Sequence, residues 1–446
     1  MSLDNLPVEW LKSSFAHLND YRANNFNPLK NDETYYELYS VPIFPEGYPE
    51  ILQAKEIGSS KQIVEKNDIL LCKINPRINR VWQVSKHTDY LNIASSEWIV
   101  FRQGNVVPKF YRYYFQSLEF RNLLCANVSG VGGSLTRAQP KHVATYDLPV
   151  PPLAEQQEIV CQLDIMLAQV EQIKARLDAI PAILKKFRQS VLADAVSGKL
   201  TEEWRSETKE WVSTTLAECT HRIGDGLHGT PQYVEDGEYY FVNGNNLING
   251  EIVIKESTKS VNALEFEKHK RDLGDNTLLL SINGTIGNLA FYQNEKVILG
   301  KSACYLNFNE KMNRDFGYIL LSSEFFIQYA HAVATGATIK NVPLKGIRDY
   351  KFLIPSLEEQ VEIVNRVRGL LALGSAIEKK IEAAQKRVNL LTQSILAKAF
   401  SGELTAEWRE QHQDLITGVN SAEALLAKIQ EEREASKPVK KVKKVK

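Results

Sequence analysis

Apolar residues recur in alternating steps of 4 and 3 along one stretch of this chain: Ile159, Leu163, Met166, Val170, Ile173, Leu177, Ile180, Leu184, Phe187 and Val191. That alternation is a heptad seam, the pattern with which one helix packs against another. A second seam follows at Ile363, Val367, Leu370, Ile377, Ile381, Val388, Leu391 and Ile395, with Gly374 and Ala384 at two of its positions. Small residues there either permit close approach or leave room for a bulkier facing side chain. Each seam predicts a helix of ~40 residues, ~60 Å long at 1.5 Å per residue. Pro181 lies inside the first and is expected to kink or locally break it. Ser197-Gly198 and Ser401-Gly402 are the expected stops, glycine supplying the positive φ that ends a helix.

The two seams belong to a repeat. Residues 151–205 align with 355–409 at a constant offset of 204, without a gap and with 23 identities in 55 positions. The copies open on P-x-L-x-E-Q-x-E-I-V (Pro151 to Val160; Pro355 to Val364) and close on S-G-x-L-T-x-E-W-R (Ser197 to Arg205; Ser401 to Arg409). The segments before them have similar length but share little sequence. Each begins with Glu-Trp (Glu9-Trp10; Glu210-Trp211) and ends on a strand-like run (Tyr146 to Val150; Tyr350 to Ile354). A period this long is a duplicated half-protein rather than a solenoid.

A helix of that length is too long to be buried on one globule, so each seam needs a partner. Its own copy, running antiparallel, satisfies both seams within one chain; homo-oligomerisation is the alternative. The expected fold is α+β: two mixed α/β globules separated by a pair of long antiparallel helices, related by internal duplication and a pseudo-two-fold. The division reads 1–150, first globule; 151–205, helical spacer; 206–354, second globule; 355–409, second spacer; 410–446, a C-terminal helix from about Asn420 and a basic tail.

In the first globule the apolar run Asp68 to Ile74 leads into a polar loop, Asn75-Pro76-Arg77-Ile78-Asn79-Arg80. In the second, Thr277 to Ile282 leads into Asn283-Gly284-Thr285-Ile286-Gly287. Aligning Ile74 with Ile282 puts the two loops at the same place. Such loops suit the reading of base edges, since Asn, Thr and Arg carry donors and acceptors and Gly allows close backbone approach. An ordinary turn has the same composition. The candidate contacts are Lys73, Asn75, Arg77, Asn79 and Arg80 in the first globule, and Asn283 and Thr285 in the second. A second surface is the turn before each spacer, where small hydroxyl residues with a cation suit a phosphate. It offers Ser134, Thr136 and Arg137 in Gly130 to Arg137, and Thr338, Lys340 and Asn341 in Gly336 to Asn341. The second globule adds the loops Asp225 to Pro231 and Asn243 to Asn246, with Asn243 and Asn245 as candidates.

Net charge is zero, with 54 basic and 54 acidic residues, which argues mildly against a nucleic-acid binder acting alone. Residues 1–150 hold 16 Lys/Arg against 15 Asp/Glu, and residues 206–354 hold 15 against 18. If the chain binds DNA, much of the phosphate neutralisation must come from elsewhere, such as partner subunits. Only the tail from Lys437 to Lys446 is sharply basic, either a solvated end or a non-specific phosphate contact. At 43% hydrophobic and 24% charged the composition is that of a soluble globular protein. No apolar run of 18 residues predicts a membrane span, and Met1 to Trp10 has no secretory pattern. Five scattered cysteines, never spaced C-x-x-C, fit free thiols in the cytoplasm and predict no zinc site.

Catalytic motifs are missing. An adenine methyltransferase needs N/D-P-P-aromatic and a Gly-rich loop for its methyl donor; Asn75-Pro76-Arg77 does not match. Gly300-Lys301-Ser302 resembles the end of a P-loop, but its first glycine position holds Glu295. No acidic-acidic-Lys nuclease cluster stands out. His221 and His228 near Cys219 read as turn and core residues rather than metal ligands.

The doubled P-x-L-x-E-Q-x-x-I-V (P-P-L in the first copy), heptad helix and S-G-x-L-T-x-x-W-R, some 200 residues apart, resemble the specificity subunits of type I restriction–modification enzymes. The resemblance spans the whole chain, and the Trp-Arg endings and C-terminal helix are most similar to the branch called IA. It implies a non-catalytic subunit with two target-recognition domains, each reading half of a bipartite, asymmetric site in double-stranded DNA. The helices would act as ruler and dock for two modification (methyltransferase) subunits, and two restriction (motor-nuclease) subunits would join them. S-adenosylmethionine, ATP and Mg would serve those partners, with no cofactor on this chain. No base-reading residue carries over by motif, because these domains differ between members. The competing reading is a structural adaptor whose globules bind proteins.

Overall fold

Both seams form helices, Leu153–Val196 and Leu357–Phe400, of 44 residues each. They are seen in a computed structural model of the chain that describes residues 5–30, 33–126, 128–129, 136–205 and 210–435. The first helix continues through Pro181, contrary to the expected break. A proline costs an interior helix ~3 kcal/mol, and burial of Leu184, one turn further on, works against that cost. Both helices end as expected: Gly198 has φ +80° and Gly402 φ +78°.

The chain folds into two compact units, residues 1–176 with 384–446, and residues 177–383. In the first, Ile159, Leu163 and Val170 from the start of the first helix share a core with Ile395, Leu396, Ala399 and Phe400 from the end of the second. In the second unit the roles exchange: Val191 and Ala195 pack with Ile363, Val364 and Val367. The helix segments within each unit therefore run antiparallel. Phe187 faces Gly374, lying 3.8 Å from where a side chain there would begin, an ordinary contact distance. The seam is not buried throughout. Met166, Ile173, Ile377 and Leu391 are exposed.

Each globule is a mixed fold built on small sheets. In the first unit Tyr35–Tyr39 and Leu91–Ser95 pair in parallel within a five-stranded sheet. Ile69–Cys72 is central in a three-stranded antiparallel sheet between Val81–Gln83 and Trp98–Phe101. The second unit repeats this, with Tyr239–Val242 parallel to Val297–Leu299 and Thr277–Ser281 between Leu289–Phe291 and Ala303–Phe308. A helix pair covers each core, Pro108–Gln116 with Leu118–Ala126 and Arg314–Ser322 with Glu324–Val333. The strand pairs Leu11–Ser14 with Asp147–Val150, and Val212–Thr215 with Lys351–Ile354, bring the ends of each globule together. In the first unit the helix Ala422–Ala435 adds Leu425 and Ile429 to the core.

The repeated motifs are buried locks. Glu155, fully buried, accepts from Thr405 Oγ1 at 2.7 Å, from Arg409 Nη2 at 2.8 Å and from Trp10 Nε1 at 2.8 Å. Glu359 accepts from Thr201 Oγ1 at 2.7 Å, Arg205 Nη2 at 2.9 Å and Trp211 Nε1 at 3.1 Å. The opening Glu of each copy is thus held by the closing Thr and Arg of the other copy and by the Trp that starts a globule. Arg205 and Arg409 also donate to the carbonyls of Gly198 and Gly402, at 2.8 and 2.6 Å. Gln156 and Gln360 tie in the chain beside them, accepting from the Val107 and Asn313 amides at 3.0 and 2.7 Å.

Candidate nucleic-acid interface

In the first unit the strand Ile69–Cys72 enters a single turn, Pro76–Ile78, flanked by Asn75 at φ +48° and Asn79 at φ +53°. Asparagine is among the few non-glycine residues that adopt the left-handed region readily. This loop is bridged to Thr136 and Ala138, at the end of the turn before the spacer. The Asn75 amide donates to Thr136 O at 2.8 Å and the Ala138 amide to Lys73 O at 2.9 Å. Lys73, Asn75, Arg77, Asn79, Arg80, Thr136 and Arg137 are therefore neighbours. Arg77 is exposed. Arg80 is partly turned inward, its Nη1 donating to Ile74 O at 3.3 Å, so it staples the loop. Arg137 pairs with Glu97 at 3.1 Å, a partner that sequence reasoning missed. The side-chain oxygens of Asn75 and Asn79 are buried and accept no hydrogen bond among the described residues. Ser134 lies outside the described residues, as does most of the Gly130 to Arg137 turn.

The second unit makes the same bridge. The Gly284 amide donates to Lys340 O at 3.1 Å and the Val342 amide to Ile282 O at 2.8 Å. This register matches Lys73 with Ile282, and Ile74 with Asn283. The Lys73 and Ile282 amides also donate to the equivalent carbonyls of Glu97 and Ser302. The alignment of Ile74 with Ile282 is thus one residue out, because the loops differ in length and the apolar run alone does not fix register. Asn283 Nδ2 donates to Asn341 Oδ1 at 3.3 Å, and Ser281 and Thr285 hydroxyls lie 3.1 Å apart. Thr285, Thr338 and Lys340 are exposed.

Asn243 and Asn245 join this rim through Gly300-Lys301-Ser302. Ser302 Oγ donates to Asn243 Oδ1 at 3.0 Å and accepts from the Gly244 amide at 2.9 Å. The stretch that resembles a P-loop end is therefore a tie between two loops. Asp225 to Pro231 reaches the same edge, the Leu227 amide donating to Leu299 O at 2.7 Å, while His228 Nε2 lies 2.7 Å from Asp225 Oδ2. The carboxyl ends of Tyr239–Val242, Thr277–Ser281 and Val297–Leu299 thus converge on one polar rim.

Among the described residues of the two rims no side chain is arranged as an activated nucleophile. Burial pushes the Cys72 and Cys304 thiols up, which keeps them protonated and inert. Among the described residues no group of three metal-ligating side chains occurs, and no helix is long and apolar enough to cross a membrane.

Paired polar rims on duplicated α+β units are the build of a recognition protein. The family model for the type I restriction modification DNA specificity domain matches twice, over residues 13–182 and 210–386. The chain belongs to this family. It is 35% identical to the type I restriction enzyme EcoKI specificity subunit of Escherichia coli strain K12, over 96% of this chain and 91% of that one. It is 37% identical to the StySPI specificity subunit of Salmonella potsdam, over 74% of this chain and 73% of the relative. These relatives support the IA-like branch. The fold is similar to that of the HsdS subunit from Thermoanaerobacter tengcongensis (TM-score 0.62, 18% identity, 89% of this chain and 98% of that one). A chain from a structural study of assembly and conformational transition in the type I restriction–modification system gives TM-score 0.68 at 17% identity, covering 89% and 99%.

Proposed function

We propose that this chain is the DNA-recognition subunit of a type I restriction–modification complex, reading one half of a bipartite, asymmetric site with each rim. The observation that carries this reading is the matched pair of main-chain bridges, Asn75 to Thr136 and Gly284 to Lys340. They set side chains of different identity on the same frame in two units. A shared frame with divergent loops is what two different half-sites require. The recognition domains are residues 1–150 and 206–354, with spacers 151–205 and 355–409 and a C-terminal segment 410–446. The base-reading candidates are Asn75, Arg77, Asn79, Asn283 and Thr285, and those nearer phosphates are Lys73, Thr136, Arg137, Thr338 and Lys340.

Two modification and two restriction subunits complete the complex in the cytoplasm, and they use S-adenosylmethionine, ATP and Mg. Docking on the long helices is supported by apolar side chains left uncovered there. Among them are Ile165, Met166, Ile173, Leu390 and Leu391 in the first unit, and Ile183, Leu373 and Ile377 in the second. The near-neutral globules fit a subunit that shares its DNA clamp with such partners. The test is to sequence methylated adenines in cells with and without this chain. One bipartite motif should vanish with it, while the rigorously purified chain alone should neither methylate nor cut. Methyl transfer by the isolated chain, or no change in the methylated sites, would sink the reading.

A further inference from the structure

A recess of about 130 Å³ opens beside Asn243 and Asn245 in the second unit. Small-molecule pockets usually run to several hundred Å³, so this one suits a single compact group. Its walls are Asn243, Asn245 and Asn246 from one turn, Lys255, Ser257, Thr258 and Lys259 from another, and the rings of Tyr233 and Phe241, with centroids 6.0 Å apart.

The recess presents donors. Lys255 Nζ gives one hydrogen to Asn245 O at 2.8 Å, which fixes the ammonium at the mouth, and an ammonium has three to give. Thr258 Oγ1 accepts from the Lys255 amide at 2.9 Å and from Asn246 Nδ2 at 3.1 Å. With both lone pairs spent, that hydroxyl has only its proton to offer. Asn243 Oδ1, an acceptor on this wall, already takes the Ser302 hydroxyl. Lys259 brings a second cation, and Ser257 a second hydroxyl. Glu256 sits in the same turn but does not line the recess. In a segment with more acidic than basic residues, two lysines beside a hydroxyl with no lone pair left to accept make a local anion site.

We infer that this recess holds one phosphodiester of the DNA, anchoring the second unit on the duplex without reading a base. The inference rests on the DNA-recognition function proposed above and assigns Lys255, Ser257, Thr258 and Lys259 a part in it. The neighbouring rings of Tyr233 and Phe241 suit the sugar. Phosphate contacts set orientation while base contacts set sequence, so the recess and the rim divide these tasks.

The experiment uses the full chain assembled with its modification subunits and measures target binding against salt. Lys255→Ala and Lys259→Ala should weaken binding to all sequences alike and lower the salt slope by about 1 each, with the methylated motif unchanged. Lys255→Arg, which keeps the charge, should restore the slope. Replacing phosphates of the second half-site one at a time by neutral methylphosphonate should reveal one position that weakens the wild-type complex. The double alanine variant should be insensitive there. Variants that keep the wild-type slope and the wild-type sensitivity at every phosphate overturn the inference, and so does a shift in the methylated sequence, which would make the lysines base readers. Inorganic phosphate bound at the recess, with DNA binding indifferent to either lysine, would assign the site to a free anion and equally overturn it. A wild-type complex that binds no defined site fails the functional reading instead. Both lysines are exposed, so loss of folding is not expected in any variant.

Discussion

At the scale of single residues, the proposed recognition role and the structural ones fall to different side chains of the same types. Arg77 is exposed on the turn between the two left-handed asparagines, whereas Arg80 staples that loop and Arg205 locks a helix. Arg77→Ala should relax discrimination in one half-site by ~1–3 kcal/mol if it reads a guanine. A phosphate contact would instead weaken all sequences alike and flatten the salt slope, which titrations against a panel of half-site variants distinguish. The locks predict stability. Burial by itself would push the Glu359 carboxyl up, but donation from Arg205, Thr201 and Trp211 outweighs this and holds it below the usual carboxylate range. A carboxylate depressed in the folded state contributes stability that is full above the unfolded value and lost as pH falls through the folded one. The wild-type chain should therefore lose stability on acidification below about pH 4. Glu359→Gln should already be less stable at neutral pH, by about 3 kcal/mol for one partner removed from a buried pair. Its denaturation midpoint should then change less than that of wild type across the acid range. Equal acid dependence in the two proteins would show that Glu359 does not carry this effect.

At the scale of elements, two glycines in the repeat have opposite meanings. Gly198 stops its helix at φ +80°, and a Cβ there would lie 2.7 Å from Arg205 Nη2 and 3.3 Å from the Trp211 ring. Gly198→Ala therefore combines left-handed strain, ~1–2 kcal/mol, with displacement of the lock, and should lower the unfolding midpoint of the second unit. Gly374 lies inside a helix with its nearest neighbour at 3.8 Å, an ordinary contact distance. Gly374→Ala should stabilise by up to ~1 kcal/mol through helix propensity. Thermal or urea melts of the two variants should move in opposite directions.

At the scale of the molecule, each unit closes on itself through its own lock and strand pair, and the proposed reading rim of each lies on its own globule. Exchanging residues 1–150 for the matching segment of another family member should therefore change one half of the methylated motif and leave the other as it was. Methylome sequencing of a strain carrying the chimera checks this. A change in both halves by a folded chimera would show that the rims do not read independently.

The heptad seams, the 204-residue repeat and its Ser-Gly stops were legible in the sequence because they are local and periodic. Any helix long enough to need a partner writes its apolar spacing into the chain, and a duplicated motif reveals itself by identity alone. The polar loops were likewise visible as interruptions of apolar runs. What the repeat means physically was not. That Glu155 is held by Thr405 and Arg409, and Glu359 by Thr201 and Arg205, depends on the antiparallel packing that brings the opening of one copy to the close of the other. The bridge joining Lys73–Asn75 to Thr136–Ala138, the one-residue correction of the loop register and the pairing of Arg137 with Glu97 are also long-range. So is the recess, assembled from three segments none of which has a distinctive spacing. Hydrogen bonds and ion pairs between residues far apart in sequence leave no periodic trace, so only the folded chain decides which polar residues are spent on the structure and which are left to meet DNA.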